Sequence, residues 1–417
     1  MKDPEPAKKR EHAEHKVLDV DIESLAFGGA GVGKLPDGKV CFIRGTAPGE
    51  RVRVEITDER NSFAYGRLKA ILEPSKKRVT PECPLAINGT DDGFCCPGCS
   101  YAHVDYQTEL NWKERQLEGF LLRGGLMEKS RLREPEGSPI RYGWRNKIRL
   151  SADGEKLGYK AEDNETVLDV PDCPLARKAI RQALEYYRDE EHSRETRHVT
   201  FRWTLRNGVV IRGNNQQPGR DYLCEQLGKH GNFFVPENSF FQIHVPMAAN
   251  LVSAAINRIA SSGVDHLLEL YCGAGVISIA AAQALSHLNV RGVELDKLAI
   301  QAAKLNAKKH GVADRCRYEA GDAEEMFLQT LKSMPLNNTA VLVDPPRCGL
   351  TAGLCKKLIS SRVGAIIYIS CAPDTLRRDL LLLKEGGYEI CDAKLFDLFP
   401  TTAHFETLTV LRRTVHS

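Results

Sequence analysis

The 417-residue chain lacks several features that set other classes of protein apart. It contains no run of 18 or more apolar residues, so we expect no membrane-spanning helix. Its first 16 residues include no apolar stretch, so we expect no secretory signal. Repeats and low-complexity segments are also missing, and a composition with 42% hydrophobic and 27% charged residues excludes collagen, coiled coil and general disorder. The net charge of +3 is too small to indicate a nucleic-acid partner by itself.

Cysteine, by contrast, is plentiful, with 13 residues. Without a secretory signal, such cysteines are thiols, metal ligands or catalytic residues rather than disulfide partners, and we expect a cytoplasmic protein. Four of them cluster at Cys83, Cys95, Cys96 and Cys99. The Cys-x-x-Cys spacing of Cys96 and Cys99 is one that chelates metal.

The chain divides into a charged tail over residues 1–16 and three predicted domains. Over 17–75, short alternating or β-branched runs separated by turn formers such as Gly-Gly-Ala-Gly-Val-Gly predict a small barrel of the OB type. Over 76–237, helical and strand-like stretches mix, which predicts an α+β central domain. Over 238–417, strands alternate with helices, which predicts an α/β fold with a doubly wound, mostly parallel sheet of the Rossmann type.

Residues 112–149 are locally basic, with ten Lys or Arg against five Asp or Glu, and include Trp112, Tyr142 and Trp144. Basic residues interleaved with aromatic ones are typical of a face that contacts phosphates and stacks bases. A solvated surface with core aromatics fits the same pattern. The composition of the segment leaves both interpretations open.

A glycine turn follows the first strand of the predicted sheet. Gly273 and Gly275 let the backbone approach a ligand, and Glu294, 21 residues after Gly273, is placed to accept hydrogen bonds from both hydroxyls of a ribose. NAD and S-adenosylmethionine both fit that spacing. Ser278 replaces the third glycine of the dinucleotide pattern, which disfavours a pyrophosphate and therefore NAD. Asp322, after the third strand, is placed to bind an adenine amino group or is an ordinary loop carboxylate.

Asp344 ends the fourth strand and precedes two prolines. The prolines stop the strand and hold the carboxylate over the edge of the sheet where ligands bind. A similar Asp/Asn-Pro-Pro occurs in several groups of methyltransferases that act on planar nitrogens or ring carbons. A loop proline pair without function is the alternative.

Cys371 ends the next strand at the same edge. A thiolate there has the chemistry to attack C6 of a pyrimidine, which makes C5 enolate-like and able to accept a methyl group. A base must then remove the C5 proton, and Glu406 and His404 are both candidates. Without that context, a lone buried cysteine is more often an inert small hydrophobe.

Taken together, these motifs closely resemble the RNA (uracil-5-)-methyltransferases. The ordered set consists of Phe241-Gln242, ELYCGAG, GVE, Asn306, VDPPRCGL, ISCAP and FPTTAHFE. The resemblance covers essentially the whole chain, from residue 17 to residue 413. It implies a class I methyltransferase domain that uses S-adenosylmethionine to make 5-methyluridine in tRNA or 23S rRNA. It also implies that the predicted barrel is a TRAM domain, an OB-like RNA-binding domain.

By position, the resemblance implies that Cys371 is the nucleophile and Glu406 the proton acceptor. The implied S-adenosylmethionine-binding positions are Gln242, Tyr271, Gly273, Glu294, Asp322 and Asp344. The chain departs from the common family pattern at three positions. Many members carry Asn at the positions of Ala372 and His244, and Asn or Thr at the position of Val276. These departures bear on fine substrate and cofactor contacts and leave the reaction type unchanged.

The resemblance further implies a [4Fe–4S] cluster with four cysteine ligands, Cys83, Cys96, Cys99 and Cys173. Cys95 is an alternative to Cys96, and the spacing alone also allows zinc. Since methyl transfer needs no electrons, we predict a structural or RNA-positioning role for the cluster. A radical mechanism is disfavoured, because the third cysteine of a Cys-x-x-x-Cys-x-x-Cys triplet is replaced by Ala102.

The expected partner is RNA, with 23S rRNA favoured over tRNA because many tRNA enzymes of the family lack both the TRAM domain and the cluster cysteines. We expect no DNA or membrane partner and a monomer. Three alternatives stay open at this point: an RNA 5-methylcytidine enzyme, with Cys348 as its second cysteine; a non-catalytic RNA-binding factor; and an NAD-linked or cluster-based redox enzyme.

Overall fold

The computed structural model describes residues 16–87, 95–189, 197–213 and 222–414. These residues belong to two units, 1–105 and 106–417. The charged tail predicted over residues 1–16 lies outside the described residues, apart from Lys16. None of the described helices combines the length and the apolar character that crossing a bilayer requires.

The first unit contains the predicted barrel. Its five strands close in the order β1-β2-β3-β5-β4. Their bounds are β1 Val17–Leu25, β2 Gly31–Lys34, β3 Val40–Ile43, β4 Arg51–Glu59 and β5 Phe63–Glu73. Alternation decides which side chains fill the barrel: on β4, Val52 and Val54 are fully buried while Arg51 and Arg53 are exposed. The closed barrel confirms the predicted OB-like architecture.

Strand β2 differs from the sequence expectation, which took its glycines as part of a turn. A Cβ atom added at Gly33 would lie 2.3 Å from Cγ1 of Val20 on β1. Gly33 therefore permits the close approach of two barrel strands.

The second unit contains eight helices and the remaining strands among its described residues. The helices are α1 Tyr106–Leu122, α2 Lys178–Asp189, α3 Val245–Ser262, α4 Val276–Ala284, α5 Lys297–Lys309, α6 Ala323–Lys332, α7 Ala352–Ser361 and α8 Pro373–Glu385. The strands are β6 Leu132–Glu136, β7 Lys147–Asp153, β8 Lys156–Lys160, β9 Val167–Asp169, β10 His198–Thr204, β11 Gly208–Gly213, β12 Leu223–Gln226, β13 Asn232–Val235, β14 His266–Leu270, β15 Asn289–Glu294, β16 Cys316–Ala320, β17 Thr339–Val343, β18 Ala365–Ser370, β19 Tyr388–Phe396 and β20 Glu406–Arg413.

An eight-stranded sheet in the order β16-β15-β14-β17-β18-β20-β19-β6 forms the centre of this unit. The five strands from β16 to β18 are parallel, β20 runs antiparallel to β18, and β19 runs antiparallel to β20. Helices cover both faces, which confirms the predicted doubly wound sheet. On β17, Leu342 faces the core formed with α3, α4 and α5, while Val341 and Val343 face the core formed with α1, α6, α7 and α8.

A second, antiparallel sheet has the order β11-β10-β7-β8-β9, and β12 pairs with β13 as a hairpin. The residues predicted as a separate central domain are divided between the two units, since 76–105 belong to the first and 106–237 to the second. Strand β6, from this middle region, pairs with β19 in the large sheet. The three-domain division stays a prediction from the sequence.

Candidate active site

The candidate site lies where four neighbouring parallel strands, β15, β14, β17 and β18, end. The glycine turn follows β14, Glu294 is the last residue of β15, and Asp344 and Cys371 directly follow β17 and β18. The carboxyl ends of parallel strands meet at one edge of a sheet, and ligands bind there in open α/β folds. Most of the residues singled out in the sequence are thus brought together.

Cys371 and Glu406 lie side by side because of the register between β18 and β20. Ser370 pairs with Thr407 in this antiparallel ladder. Cys371 is one residue beyond Ser370 and Glu406 one residue before Thr407, so both lie at the same level of adjacent strands. Asp344 joins them from β17, one residue after Val343, which pairs with Tyr368 of β18.

Burial and like charges disfavour ionisation of this group. Burial, and then the neighbouring Glu406 carboxyl, raise the pKa of the Cys371 thiol to about 11. Burial also raises the pKa of Glu406 well above its usual range, and Asp344 adds to that shift. Glu406 is 4% exposed, and its Oε2 atom has no hydrogen-bond partner among the described residues. The pKa of Asp344 is likewise raised by burial.

Arg347 is a member of this site that the sequence reasoning did not assign. Its guanidinium, on an exposed residue, lowers the pKa values of Cys371 and Glu406 and so opposes the effect of burial on both groups. The signal was present in the sequence, since Arg347 completes Asp-Pro-Pro-Arg after β17. A cation beside a thiol favours the reactive thiolate.

His404, the alternative base, lies near the same cation. Burial and then Arg347 lower the pKa of His404 to about 4, so the imidazole is neutral at pH 7. A neutral imidazole with so low a pKa is a weak proton acceptor. Once ionised, the Glu406 carboxylate is the stronger proton acceptor of the two, because its pKa is raised.

The glycine turn is held against Glu294. The backbone N–H of Gly273 donates to Oε2 of Glu294 at 3.1 Å, and that of Asp296 donates to Oε1 at 2.9 Å. Gly275 has a φ of +76°, and a Cβ atom there would lie 3.0 Å from Ile279 and Tyr318. Both the left-handed backbone and the lack of space require glycine at this position.

Asn306 on α5 fixes the turn from behind. Its fully buried amide donates to the carbonyl oxygens of Phe234 at 2.9 Å and Ala274 at 3.0 Å, and it accepts from the N–H of Phe234 at 2.7 Å. This side chain thus links the glycine turn to β13.

Gln242 lies in the segment before α3, where its neighbour Phe241 packs against Ala274 of the glycine turn. The Oε1 atom of Gln242 is buried and has no hydrogen-bond partner among the described residues. The nearby His244 is fully buried, stacks on Trp144 with 5.4 Å between ring centroids, and has its Nε2 2.8 Å from Oγ of Ser138. The departure from the family pattern at position 244 therefore has a packing role.

Asp322 and Tyr271 lie at the same edge. The N–H of Gly321, next to Asp322, donates to the Glu294 carbonyl at 2.9 Å, and the Asp322 carboxylate helps to raise the pKa of Tyr271 to about 12 after burial. Asp322 is exposed, and its Oδ1 accepts from the N–H of Glu325 at 3.0 Å as the N-cap of α6. One carboxylate oxygen therefore caps a helix.

Glu269, the next-to-last residue of β14, is a buried carboxyl to which the sequence analysis gave no role. It is 2% exposed, burial raises its pKa to about 8, and its Oε2 atom has no hydrogen-bond partner among the described residues. A glutamate inside an apolar strand gives no local signal of such an environment.

The predicted metal site is not assembled in the described residues, where no group of three or more His, Cys, Asp or Glu side chains is placed to hold a metal ion. The backbone does bring two of the cysteines near one another, since Ala86 donates to the Cys83 carbonyl and Cys96 to the Leu85 carbonyl. Cys173 is buried and accepts a hydrogen bond from the Tyr159 hydroxyl at 3.7 Å. Cys83, Cys96 and Cys99 belong to the first unit and Cys173 to the second, so the four-cysteine set stays a prediction from the sequence, and we derive no chemistry from a metal.

Comparison with known proteins places this site in context. The chain is 29% identical to an uncharacterized RNA methyltransferase of Halalkalibacterium halodurans, over 95% of this chain and 96% of that one. It is 27% identical to an uncharacterized RNA methyltransferase of Thermotoga maritima, over 94% and 98%. The fold matches the crystal structure of the Pyrococcus abyssi tRNA (uracil-54, C5)-methyltransferase in complex with S-adenosyl-L-homocysteine, with a TM-score of 0.70, 24% identity, and coverage of 94% of this chain and 100% of that one.

Two family models match the chain. The TRAM domain matches residues 13–69, which include most of the closed barrel. The tRNA (uracil-5-)-methyltransferase model matches residues 205–414, half of the chain, and this region includes the five parallel strands β14 to β18 of the large sheet. The protein is therefore an RNA methyltransferase of the tRNA (uracil-5-)-methyltransferase family with an N-terminal TRAM domain.

Proposed function

We propose that this protein transfers a methyl group from S-adenosylmethionine to C5 of a specific uridine in RNA, with Cys371 as nucleophile and Glu406 as base. The observation that carries the proposal is the register between β18 and β20, which places the two side chains at one level of adjacent strands beside Asp344 and Arg347.

The residues around the glycine turn fit S-adenosylmethionine. Gln242 and Glu269 each present a buried oxygen without a hydrogen-bond partner among the described residues, which a ligand with N–H or O–H groups would satisfy. Tyr271, Gly273, Glu294, Asp322 and Asp344 complete the proposed binding positions. When bound, this cofactor supplies an electrophilic methyl group.

The proposed chemistry uses the Cys371 thiolate first. Its Sγ forms a bond to C6 of the uracil, and the electron pair of the C5–C6 double bond moves so that C5 becomes nucleophilic. C5 would then take the methyl group as the sulfur–methyl bond of S-adenosylmethionine breaks, which leaves S-adenosylhomocysteine. Glu406 takes the C5 proton, the double bond forms again, and the Sγ–C6 bond breaks to release 5-methyluridine. Glu406 accepts this proton in its carboxylate form, and the raised pKa makes that carboxylate a stronger base than an ordinary one.

We propose 23S rRNA as the substrate, with tRNA as the alternative. Support for 23S rRNA comes from the TRAM domain together with the cysteines at positions 83, 96, 99 and 173, a combination that many tRNA enzymes of the family lack. The Pyrococcus abyssi enzyme, which acts on tRNA, favours the alternative. A uracil within structured RNA must leave its stack before a thiol reaches C6.

The test is methylation of unmodified 23S rRNA and of bulk unmodified tRNA with labelled S-adenosylmethionine, followed by nucleoside mass spectrometry. We expect 5-methyluridine in 23S rRNA alone. The same signal in tRNA alone would overturn the substrate assignment. Formation of 5-methylcytidine would show that the target nucleobase is cytosine and not uracil, and no product in either RNA would contradict the proposed reaction.

Two variants test the roles of the side chains. We expect Cys371→Ala to abolish turnover, and Glu406→Gln to lower it by about 100-fold or more because the C5 proton loses its acceptor. Cys391→Ala is the control, since this thiol lies on β19 and donates only to the Glu389 carbonyl. Full turnover by Cys371→Ala would refute the assigned nucleophile.

We retain the metal site as a proposal from the sequence, with a [4Fe–4S] cluster favoured over zinc and with Cys83, Cys96, Cys99 and Cys173 as ligands. Protein purified without oxygen should contain about four iron and four sulfide per chain. Zinc in place of iron would support the alternative ion, and the absence of both metals would refute the site.

A further inference from the structure

A fully buried lysine lies at the centre of an ion cluster that the proposed reaction does not use directly. Lys113 on α1 is 0% exposed, and its Nζ donates to Oε1 of Glu109 at 2.7 Å, to Oδ1 of Asp397 at 2.8 Å and to the carbonyl oxygen of Phe399 at 3.2 Å. Glu109 and Asp397 are also 0% exposed. We call Lys113, Glu109 and Asp397 the Lys113 cluster.

The Lys113 cluster binds one loop at three places. This loop, residues 397–405, connects β19 to β20, and Glu406 is the first residue after it. Asp397 is its first residue, the Phe399 carbonyl accepts from Lys113, and the N–H of Thr401 donates to Oε1 of Glu109 at 2.6 Å. Tyr106 adds a further hydrogen bond, from its hydroxyl to Oδ2 of Asp397 at 2.9 Å. One helix therefore sets the path of the loop.

Thr401 shows that the loop is held in an unfavourable conformation. Its φ is +68°, in the left-handed region, where a β-branched residue is a genuine outlier. Such backbone persists only when surrounding contacts over-determine it, and it concentrates at active sites. The bond from the Thr401 N–H to buried Glu109 is one such contact.

The loop in turn bears on the reacting groups. Glu406 pairs with Phe396 across β20 and β19, and Phe396 is the residue just before Asp397. The loop thus begins at Asp397 in the Lys113 cluster and is followed directly by Glu406. Phe399 also contacts the ring of His404 edge-on, with 6.3 Å between centroids. A shift of Asp397 would therefore move the carboxyl proposed to take the C5 proton.

Packing alone does not account for this arrangement. A buried ion cluster is a weak source of stability, because desolvation offsets the attraction and apolar side chains of similar volume often serve equally well. The cluster instead fixes the position of the loop. Three acceptors surround the Lys113 ammonium, and two of them, the Asp397 carboxylate and the Phe399 carbonyl, belong to the loop.

We propose that Lys113, Glu109 and Asp397 are positioning residues that hold the loop of residues 397–405 so that Glu406 can remove the C5 proton after methyl transfer. This inference rests on the proposed function. Loss of the cluster should leave the attack by Cys371 and the methyl transfer to C5 largely intact. It should slow the proton removal that breaks the Sγ–C6 bond, so the covalent protein–RNA adduct accumulates.

The experiment compares wild-type protein with Lys113→Met on two RNAs. The first is the unmodified transcript, 23S rRNA or tRNA, that the wild type methylates, and the second is the same transcript made with 5-fluorouridine. Fluorine at C5 cannot be removed as a proton, so the adduct forms without release and reports attack and methyl transfer alone. Adducts are read on a denaturing gel and products by nucleoside mass spectrometry.

For Lys113→Met we expect 5-methyluridine formation to fall by about 100-fold, as for loss of a general base. We expect more adduct than wild type on the ordinary transcript and about the same rate of adduct formation on the fluorinated one. A parallel fall in adduct and product on both RNAs, or unchanged product, would overturn the inference. If the wild type itself gives neither adduct nor product, the proposed function fails instead.

Two further variants keep the test decisive. Leu117→Ala removes a fully buried apolar side chain one turn along α1 that takes no part in the hydrogen bonds of the cluster. It should lower stability and leave the ratio of adduct to product unchanged. If Lys113→Met does not fold, Tyr106→Phe removes the hydroxyl that donates to Asp397 and accepts from the N–H of Ser138. It should raise the same ratio by about threefold, as expected for loss of one modest hydrogen bond to the loop. An unchanged ratio in Tyr106→Phe would then count against the inference.

Discussion

At the scale of single residues, the balance of charges around Cys371 decides when its thiol can act. Burial and Glu406 raise the pKa of this thiol to about 11, and Arg347 lowers it. In the proposed reaction only the thiolate attacks C6, so the protein without RNA holds its proposed nucleophile mainly in the protonated form at pH 7. In this proposal the Arg347 cation helps to keep the thiolate within reach.

This balance predicts a pH dependence. Below the pKa, the thiolate fraction rises about tenfold per pH unit, so the rate of adduct formation on the 5-fluorouridine transcript should rise about tenfold between pH 7 and pH 8 and again to pH 9. Arg347→Gln should raise the thiol pKa and slow the adduct formation at each pH. A rate that does not change with pH, or a faster Arg347→Gln variant, would contradict this account of the site.

The sequence identified most of this site at the residue scale, because strand ends and short motifs are local. Cys371, Asp344 and Glu294 each follow or end an apolar strand. Lys113 and Glu109 could not be found in that way, since charged residues on a helix normally face solvent. Their burial arises from contacts with residues more than 280 positions away in the chain.

At the scale of elements, Asn306 shows how a residue of one helix, α5, positions the glycine turn that precedes another helix, α4. The buried amide of this α5 residue makes three hydrogen bonds with the backbone of β13 and of the glycine turn. Gly273 and Gly275 carry no side chains with which to fix the turn. Its geometry therefore depends on Asn306 from behind and on Glu294 in front.

We predict that Asn306→Ala lowers the free energy of unfolding by about 2–4 kcal/mol, because backbone groups of Phe234 and Ala274 lose their buried partners. It should also weaken binding of S-adenosylhomocysteine by about tenfold, as the turn loses its fixed path. Thermal unfolding and calorimetric titration measure the two effects. Asn289→Ala, at an exposed position on β15, is the control and should change neither. Wild-type affinity in Asn306→Ala would show that the turn holds its shape without α5.

Element prediction from the sequence succeeded where the hydrophobic period was clear. The strands of the parallel sheet and the helices α1, α4, α5 and α8 follow apolar patterns that the sequence shows directly. Strand β2 was taken as a turn, because glycine is a turn former in most contexts. Its glycines instead serve the close packing of barrel strands, which only the three-dimensional arrangement reveals.

At the scale of the whole molecule, the chain forms two units with separate cores. The barrel core of the first unit includes Val20, Val52 and Val54, and the sheet of the second unit has its own cores on both faces. The residues proposed to bind S-adenosylmethionine all belong to the second unit. Cofactor binding should therefore be insensitive to damage within the barrel.

We predict that Val54→Ala, which leaves a cavity in the barrel, lowers the stability of the first unit by about 2–3 kcal/mol. The affinity for S-adenosylhomocysteine should stay within about twofold of the wild type. Val341→Ala removes the same atoms from β17, three residues before Asp344, and should lower both stability and affinity. Equal losses of affinity in the two variants would contradict the independence of the units.

The sequence by itself determined the two architectures, the order of the strands along the chain and the family, because these depend on local periodicity and on short motifs at fixed spacing. Only the tertiary structure decided the register that sets Cys371 beside Glu406, the effect of Arg347 on both, and the contact of Lys113 with Asp397. The physical reason is that strand register and burial set the electrostatic environment of a side chain. Both arise from contacts between segments far apart in the chain, which local sequence patterns do not record.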